Sequence, residues 1–350
     1  PTSRPAWLRA WWKAGCGAGE SAARAPRVVV VTEGERLVGL LPAYLVDSRA
    51  RAPDLRLIGA STFWSVAPLV ASDAPPATIG ELSRALGGTS PAPSRLEIPS
   101  APADAAWPGE LRRGWPGAPA WLRRGNRGAL LVVEGHESAE AWFAALPKRL
   151  RSDHLRRNRK RAEAGLEVVP TTDPEAVAAD LHALAELHRA RWGGASSWLV
   201  EGVEEALVAA GRELIEEGGW RLWKVVRGEQ ILAATLFARG GAVSEMLLTA
   251  YDLEWSHLAP GVATVVAGIE HELDSGARVV DFGHGGFEYL RRMASAEVPI
   301  VNCELFPGNR RMPLALAAWL VPHGRERLNI WRKRLRLGQR LRGIRRRRHR

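Results

Sequence analysis

Two side chains able to move protons stand close together in the last quarter of the chain. Asp281 and His284 lie in Asp281-Phe282-Gly283-His284-Gly285-Gly286, where the apolar run from Val279 to Phe282 passes into glycines. The run has the length and composition of a buried strand, and a side chain at the C-terminal end of such a strand can face a cleft. Histidine titrates near neutrality, so His284 is the readier general base and Asp281 the second candidate. The same residues also suit a plainer reading, with Asp281 as a turn or cap partner and His284 as an exposed loop residue. Tyr289 and then Arg291-Arg292 follow, and upstream Asp252, Trp255 and His257 come directly after another strand, where they would edge the same cleft.

Those groups need a sheet behind them, and the pattern supplies one. Trp220 to Val226, Gln230 to Ala238 and Val243 to Tyr251 read as three successive strands, with turns at Arg227-Gly228 and Gly240-Gly241. Two helices precede them. The first opens at Asp173-Pro174, an N-cap followed by proline, keeps Val177, Leu181, Leu184 and Leu187 on one face and stops at Trp192-Gly193-Gly194. The second runs from about Val203 to Glu217. Pro260 opens a further helix whose apolar face is Val262, Val265, Val266, Ile269 and Leu273. Two helices, three antiparallel strands, a helix and a strand make an α+β unit with a mixed sheet.

Part of this unit occurs twice. Gly34-Glu35-Arg36-Leu37-Val38-Gly39 is echoed by Gly228-Glu229-Gln230-Ile231-Leu232-Ala233, and Trp64-Ser65-Val66-Ala67-Pro68 by Trp255-Ser256-His257-Leu258-Ala259-Pro260 at nearly the same offset. Two ordered matches point to tandem domains, at 1–134 and 135–310, followed by a tail at 311–350. In the first half, Arg27 to Val31 and Arg36 to Val46 form a hairpin. Strands follow at Leu55 to Ile58, Pro68 to Val70, Arg95 to Ile98 and Leu130 to Val133, with a helix at Leu82 to Leu86 and irregular chain from Ser100 to Pro119. Ser138 to Ala164 reads as a single long helix opening the second half. After Pro68 nothing matches the Pro-Gly and amphipathic helix that follow Pro260, so the first half reads as scaffold.

The chain has 350 residues and a net charge of +11, and the location of that charge decides its meaning. From Arg325 to Arg350 there are 13 Lys or Arg and one acid, which leaves 36 basic and 37 acidic residues elsewhere. The body is near neutral, which argues against nucleic acid as the main partner. The tail places Leu328, Trp331, Leu335, Leu341 and Ile344 roughly on one helical face among arginines, a pattern suited to a solvated tail, to an anionic membrane surface or, less so, to nucleic acid through counterion release. Cys16 and Cys303 are too few for a disulfide framework or a cysteine metal site and fit a reducing cytoplasm, and no metal is expected. No signal peptide or membrane-spanning run is evident; Leu314 to Val321 is far short of the roughly 20 residues required.

The opening Pro5-Ala6-Trp7-Leu8 with Trp11-Trp12, Leu40-Leu41-Pro42-Ala43-Tyr44, Ala67-Pro68-Leu69, Leu155-Arg156-Arg157-Asn158-Arg159, Tyr251-Asp252, Pro260-Gly261 and Asp281-Phe282-Gly283-His284-Gly285 with Tyr289 come in a characteristic order. In that order the chain resembles the GNAT acyltransferase superfamily, and in its duplication the FemAB-like branch, including relatives associated with cellulose biosynthesis. The resemblance implies tandem GNAT-like domains with mixed, mainly antiparallel sheets flanked by helices. It implies acyl-CoA as co-substrate, its pyrophosphate received at the helix start Gly261, Val262, Ala263 and Thr264, where unpaired amides and the helix dipole favour an anion. It also implies Tyr289 as the acid for the departing thiolate, with Asp252, Trp255, His257 and Arg291 toward the acceptor. Leu258 stands where the family usually has Gln or Arg, and Leu290 where a lysine often follows the tyrosine.

The resulting expectation is a cytoplasmic acyltransferase, peripheral to the membrane if its tail docks there, that moves an acyl group to an amine or hydroxyl of a small-molecule, saccharide or cell-envelope precursor. The alternatives are an aminoacyl-tRNA-dependent ligase, with the Lys148 to Arg161 basic run meeting an anionic substrate, and a non-catalytic accessory protein docked by its tail.

Overall fold

The echoed sequence becomes two hairpins that match residue for residue. In the computed structural model, which describes residues 1–16, 24–46, 53–60, 62, 66–193, 199–283, 288–308, 312–313, 315–317 and 320, β1 (Arg24–Glu33) and β2 (Arg36–Val46) turn through Gly34, with φ of 60°. Strands β8 (Trp220–Arg227) and β9 (Gln230–Gly240) turn through Gly228, with φ of 57°. Glycine is the residue that enters this region without strain. In the first hairpin the register slips between Val31, paired with Gly39, and Thr32, paired with Leu37. In the second it slips between Val225, paired with Ala233, and Val226, paired with Ile231. Val38 and Leu232 are thus the same extra residue of the same bulge.

The remaining strands are β3 (Asp54–Leu57), β4 (Leu69–Val70), β5 (Arg95–Pro102), β6 (Ala120–Glu134), β7 (Glu167–Pro170), β10 (Val243–Tyr251), β11 (Val279–Asp281) and β12 (Ala296–Phe306). They form one twelve-stranded sheet in the order β1-β2-β3-β5-β12-β6-β11-β10-β9-β8-β7, with β4 pairing to β2. Each half contributes one parallel pair, β3 with β5 and β10 with β11, in otherwise antiparallel surroundings. The boundary expected at 134/135 follows the end of β6, but the sheet does not break there. Strand β12, from the second half, lies between β5 and β6 of the first, and β6 pairs with β11 of the second.

Helix α1 (Pro5–Lys13) also crosses between halves. It packs on α7 (Val203–Leu214), with Arg4 paired to Glu217 and Arg9 to Glu213. Its Trp7 and Trp11 are fully buried in a core that joins Tyr44, Leu55 and Leu96 of the first half to Leu207, Trp220 and Leu236 of the second. A second core lies on the other side of the second-half sheet. It is built from Leu131, Val133, Met246, Val280 and Phe282 against Val265, Val266 and Ile269 of α8 (Pro260–Asp274).

Three expectations change. The irregular stretch after Ser100 contains α3 (Trp107–Gly114), opened by Trp107-Pro108 and hidden from periodicity by its short length. The single helix from Ser138 to Ala164 is two, α4 (Ala139–Ala145) and α5 (Lys148–Glu163), because Pro147 ends the first and precedes the second. The helix expected at Leu82 to Leu86 is longer, α2 (Thr78–Gly87), and follows the expected strand β4, so the first half also has a helix after its Ala-Pro loop. The Asp173 cap holds: its carboxylate accepts from the Glu175 amide at 2.9 Å, and α6 (Val177–Trp192) follows and stops at Gly193, with φ of 52°. Trp64 and Ser65, and the basic tail from residue 321, lie outside the described residues.

Candidate active site

The second half opens at a fork between its two parallel strands. β10 and β11 pair through Val243–Val279, Ser244–Val280 and Glu245–Asp281. β11 then ends, while β10 bulges at Leu247 and runs on to Tyr251. β6 fixes the far arm: Phe282 N–H donates to Leu131 O at 2.8 Å, and Leu131 N–H to Gly283 O at 3.3 Å.

At the apex sit two buried acids, Asp281 and Glu245, 6% and 4% exposed. Burial, and then the neighbouring Glu245 charge, push the Asp281 carboxyl up to about 7, against the opposing effect of the Gly283 amide that donates to its Oδ1 at 2.7 Å. Glu245 is likewise raised by burial, and its Oε2 accepts from the Thr2 hydroxyl at 2.9 Å. Asp281 thus takes the turn-partner role that the sequence allowed it. His284 lies outside the described residues.

α8 starts at one arm of the fork. Ala259, with φ of 49°, turns the chain into Pro260, and no side chain caps the helix, so the Gly261 and Val262 amides of the first turn have no intrahelical acceptor. A hydroxyl chain locks this end to the sheet: Thr235 bonds Thr249 at 2.9 Å and Thr264 at 2.7 Å, and Thr264 donates to Gly261 O at 2.9 Å. Thr264 is fully buried by this use. The structure therefore gives it a positioning role in place of the direct anion contact expected, and Ala263 is buried in the core. Gly261 is buried against Tyr251, and Val262 is half-buried in the first turn.

Leu258, in the position the family usually gives to Gln or Arg, is a core residue. A guanidinium arrives instead from α5. Arg161 is 3% exposed, donates to Leu258 O at 2.6 Å and also bonds Asn158 Oδ1, while Asn158 Nδ2 donates to His154 Nε2 at 3.0 Å. Burial, then Arg157, bring Arg161 down to about 10, and burial, then Arg161, bring His154 to about 4, which suits it as a neutral acceptor.

Above the fork, Tyr251 lies between two elements. The Arg191 guanidinium of α6 is 4.7 Å from its ring centroid, and a Cβ on Gly261 would come within 2.8 Å of its Cδ1. Tyr289, on α9 (Glu288–Arg291), belongs to the same group: burial holds its phenol up to about 12, with Arg191 opposing and Tyr251 adding to the shift. Its proton is therefore retained at neutral pH. A cavity of about 530 Å³ opens beside this group, lined by Glu186, Leu187, Arg191, Ile231, Tyr251 and Asp252.

The other expected acceptor residues are drawn elsewhere. Asp252 caps the 3₁₀ turn Leu253–Leu258 through the Glu254 amide at 3.0 Å, while still touching the cavity. Trp255 stacks on His257 and under Arg227 of the β8–β9 turn. Arg291 pairs with Glu297 at 3.3 Å on the surface. Sequence reasoning missed Arg191, Tyr251, Arg161 and Glu245 as site residues. Tyr251-Asp252 and the basic run were noticed as motifs, but neither spacing nor composition joins α6, α5 and β10.

Residues 148–291 match the family model described as an acetyltransferase (GNAT) domain. That segment, most of the second half, is similar to the GNAT acetyltransferase family. The fold of the chain is similar to that of FemX, at a TM-score of 0.57 and 10% identity, over 87% of this chain and 91% of that one. It is also similar to a conserved protein of unknown function from Bacteroides thetaiotaomicron, at 0.53 and 11%, over 85% and 88%. A third likeness is the C-terminal domain of a putative lysylphosphatidylglycerol synthetase from Agrobacterium fabrum, at 0.52 and 10%, over 90% and 92%. No curated protein matches the chain in sequence. Among the described residues, no cluster of His, Cys, Asp and Glu could hold a metal ion, and no helix is long and apolar enough to cross a membrane.

Proposed function

We propose that the second half of this protein transfers an acyl group from acyl-CoA to an amine or hydroxyl on a small-molecule or saccharide precursor of the cell envelope. One observation carries the reading: the β10–β11 fork ends on the Gly261 and Val262 amides at one side and on Asp281 at its apex, with Tyr289 above. The unpaired amides and the positive end of the α8 dipole favour a pyrophosphate, while Gly261 itself packs against the Tyr251 ring, which a side chain there would displace. Arg161 holds the Leu258–Ala259 backbone from which those amides start. Asp281, titrating near neutrality, takes the proton from the attacking group directly or through water. Tyr289 keeps its proton and gives it to the departing thiolate. Arg191 offers positive charge beside the phenol, and the neighbouring cavity takes the acceptor. The envelope assignment draws support from the resemblance and from the printed description of the Agrobacterium fabrum neighbour.

A second reading, aminoacyl transfer from a charged tRNA, is favoured by the basic α5, whose exposed Arg156 and Arg159 lie on the helix that reaches the α8 start through Arg161. Calorimetric titration of the full chain with acetyl-CoA, longer acyl-CoAs, free CoA and an aminoacyl-tRNA separates the two. Saturable acyl-CoA binding supports the first; binding of the tRNA alone, with no response to any CoA, replaces it with the second.

A further inference from the structure

The first half has a fork of its own, and there the equivalent residues line an open cavity. β3 and β5 pair in parallel through Asp54–Arg95, Leu55–Leu96 and Arg56–Glu97, after which β3 ends at Leu57 and β5 continues to Pro102. Arg56 is also the partner of Tyr44 on β2, so Tyr44, Arg56 and Glu97 form one row across three strands. In the second half, the matching row is Ala238, Glu245 and Asp281. The equivalence follows from the hairpins, whose registers agree residue for residue, Val31 with Val225 and Gly39 with Ala233. One row has therefore become two buried acids, one of them sealed by Thr2, and the other an aromatic, a cation and an anion.

A cavity of about 280 Å³ opens on this row, closed by Leu57, Ala60 and Pro99. At roughly 30 Å³ for each water of liquid volume, the space suits a molecule of about ten heavy atoms. Glu97 meets its two cations only at 3.4 and 3.5 Å. Arg56 Nε is buried and has no hydrogen-bond partner, lying 3.5 Å from Glu97 Oε2. Glu97 otherwise meets Arg95 at 3.4 Å, and Arg95 is held more closely by Asp54 at 2.8 Å. The Arg56 guanidinium also hydrogen-bonds the Tyr44 side chain, so the row is linked from Tyr44 through Arg56 to Glu97 along the cavity wall. Burial raises the pKa of the Tyr44 phenol, which offers a neutral hydroxyl, and the Trp12 ring meets its edge at 5.9 Å.

We propose that this first-half fork is a second binding site, for a small zwitterion of the α-amino acid class. The ligand's carboxylate pairs with Arg56, where a planar guanidinium can meet it with two parallel bonds. Its ammonium is received by Glu97, and its carbon skeleton lies against Leu57, Ala60 and Pro99. The site is separate from the Gly261 mouth and does not depend on acyl-CoA being the donor.

The test is isothermal titration of the full chain with each standard L-amino acid, and with acetate and methylammonium as the two halves of the ligand. The expected result is saturable binding of at least one amino acid and none of acetate or methylammonium at the same concentrations. Arg56→Gln weakens the binding by about tenfold or more, the loss of one charge-assisted hydrogen-bonded contact, and Ala60→Leu, which fills the cavity and leaves every charge in place, abolishes it. Melting curves matching the parent show that both variants fold. The absence of binding by any amino acid overturns the proposal. So does acetate binding as tightly as the amino acid, or amino-acid binding unchanged in both variants. The acyl-CoA titration of the same variants reads the second-half site independently.

Discussion

Gly261 lies directly against the ring of Tyr251: a Cβ on the glycine would stand 2.8 Å from Tyr251 Cδ1, and on β10 the ring also meets the Arg191 guanidinium. The contact couples the start of α8 to the acid–aromatic group above the fork. Gly261→Ala is therefore expected to move Tyr251, at an overpacking cost of about 1–3 kcal/mol against a helix-propensity gain of about 1 kcal/mol, and to weaken acyl-CoA binding about tenfold by calorimetry. Adding Tyr251→Ala relieves the clash. Stability in the double variant then exceeds the sum of the two single effects, and additive losses would show that the ring and the glycine are not coupled.

Asp281 makes stability depend on pH in a specified direction. Its folded carboxyl titrates at about 7, above the ordinary value of 3.8, so between those values the folded chain binds more protons than the unfolded one. Its stabilising effect is complete below about pH 4 and is lost as pH rises through 7, with a slope of up to about 1.4 kcal/mol per pH unit for one group. Asp281→Asn keeps an oxygen for the Gly283 amide and removes the titration. Urea melts between pH 4 and 8 should show a flatter profile for the variant than for the parent. The proposed transfer should fall in the same variant, and an unchanged rate would remove Asp281 from the chemistry.

Tyr289 keeps its proton because burial raises its phenol to about 12. If it protonates the leaving thiolate, Tyr289→Phe lowers kcat by about 10²–10³, within the usual range for a general acid, and leaves KM for acyl-CoA and the melting temperature nearly unchanged. Thiol release followed with a chromogenic disulfide reads this out. Equal kcat in the two proteins would leave Tyr289 a packing residue of the α8 core.

The sequence pattern located the second-half strands closely, since Trp220–Arg227, Gln230–Gly240 and Val243–Tyr251 are bounded by turn glycines and rich in β-formers. The same logic found Pro260–Asp274 and the Asp173 cap. It could not place β12 between β5 and β6, or α1 on α7, because strand order is settled by distant packing and not by local propensity. For the proposed site, Asp281, Tyr289 and Gly261 could be named from the sequence because each lies at or beside the end of a regular element. Arg161 was hidden in a run of eight cations from Lys148 to Arg161, and only burial separates it from its neighbours. Arg191 and Glu245 acquire meaning from neighbours on other elements, which a linear pattern does not record.

Arg161 is expected to behave unlike the rest of that run. Arg161→Met leaves Leu258 O without its 2.6 Å donor in a buried place, at a cost of about 1–3 kcal/mol, and lowers acyl-CoA affinity by freeing the backbone that leads into Gly261. Arg159→Gln, on an exposed position of the same helix, should change stability by less than about 0.5 kcal/mol and leave acyl-CoA binding as it is. Denaturant melts and titrations on the two variants give the comparison. Equal effects would mean that α5 acts through its overall charge and not through this one anchor.

The duplicated hairpins make the simplest quantitative prediction. Gly34 and Gly228 have φ of 60° and 57°, and nothing lies within 4 Å of a Cβ placed on either. A side chain at these positions therefore meets no steric clash, and the cost is the backbone conformation alone. For alanine, the left-handed region costs roughly 1–2 kcal/mol, offset by roughly 0.4–1 kcal/mol from the stiffer unfolded chain. Gly34→Ala and Gly228→Ala should each lose about 1 kcal/mol, equal to within a few tenths, and asparagine, which tolerates this region, should lose less at both. Denaturant unfolding of the four variants measures it. Unequal alanine costs would show that two turns with the same register and bulge nevertheless differ in how firmly their strands hold them.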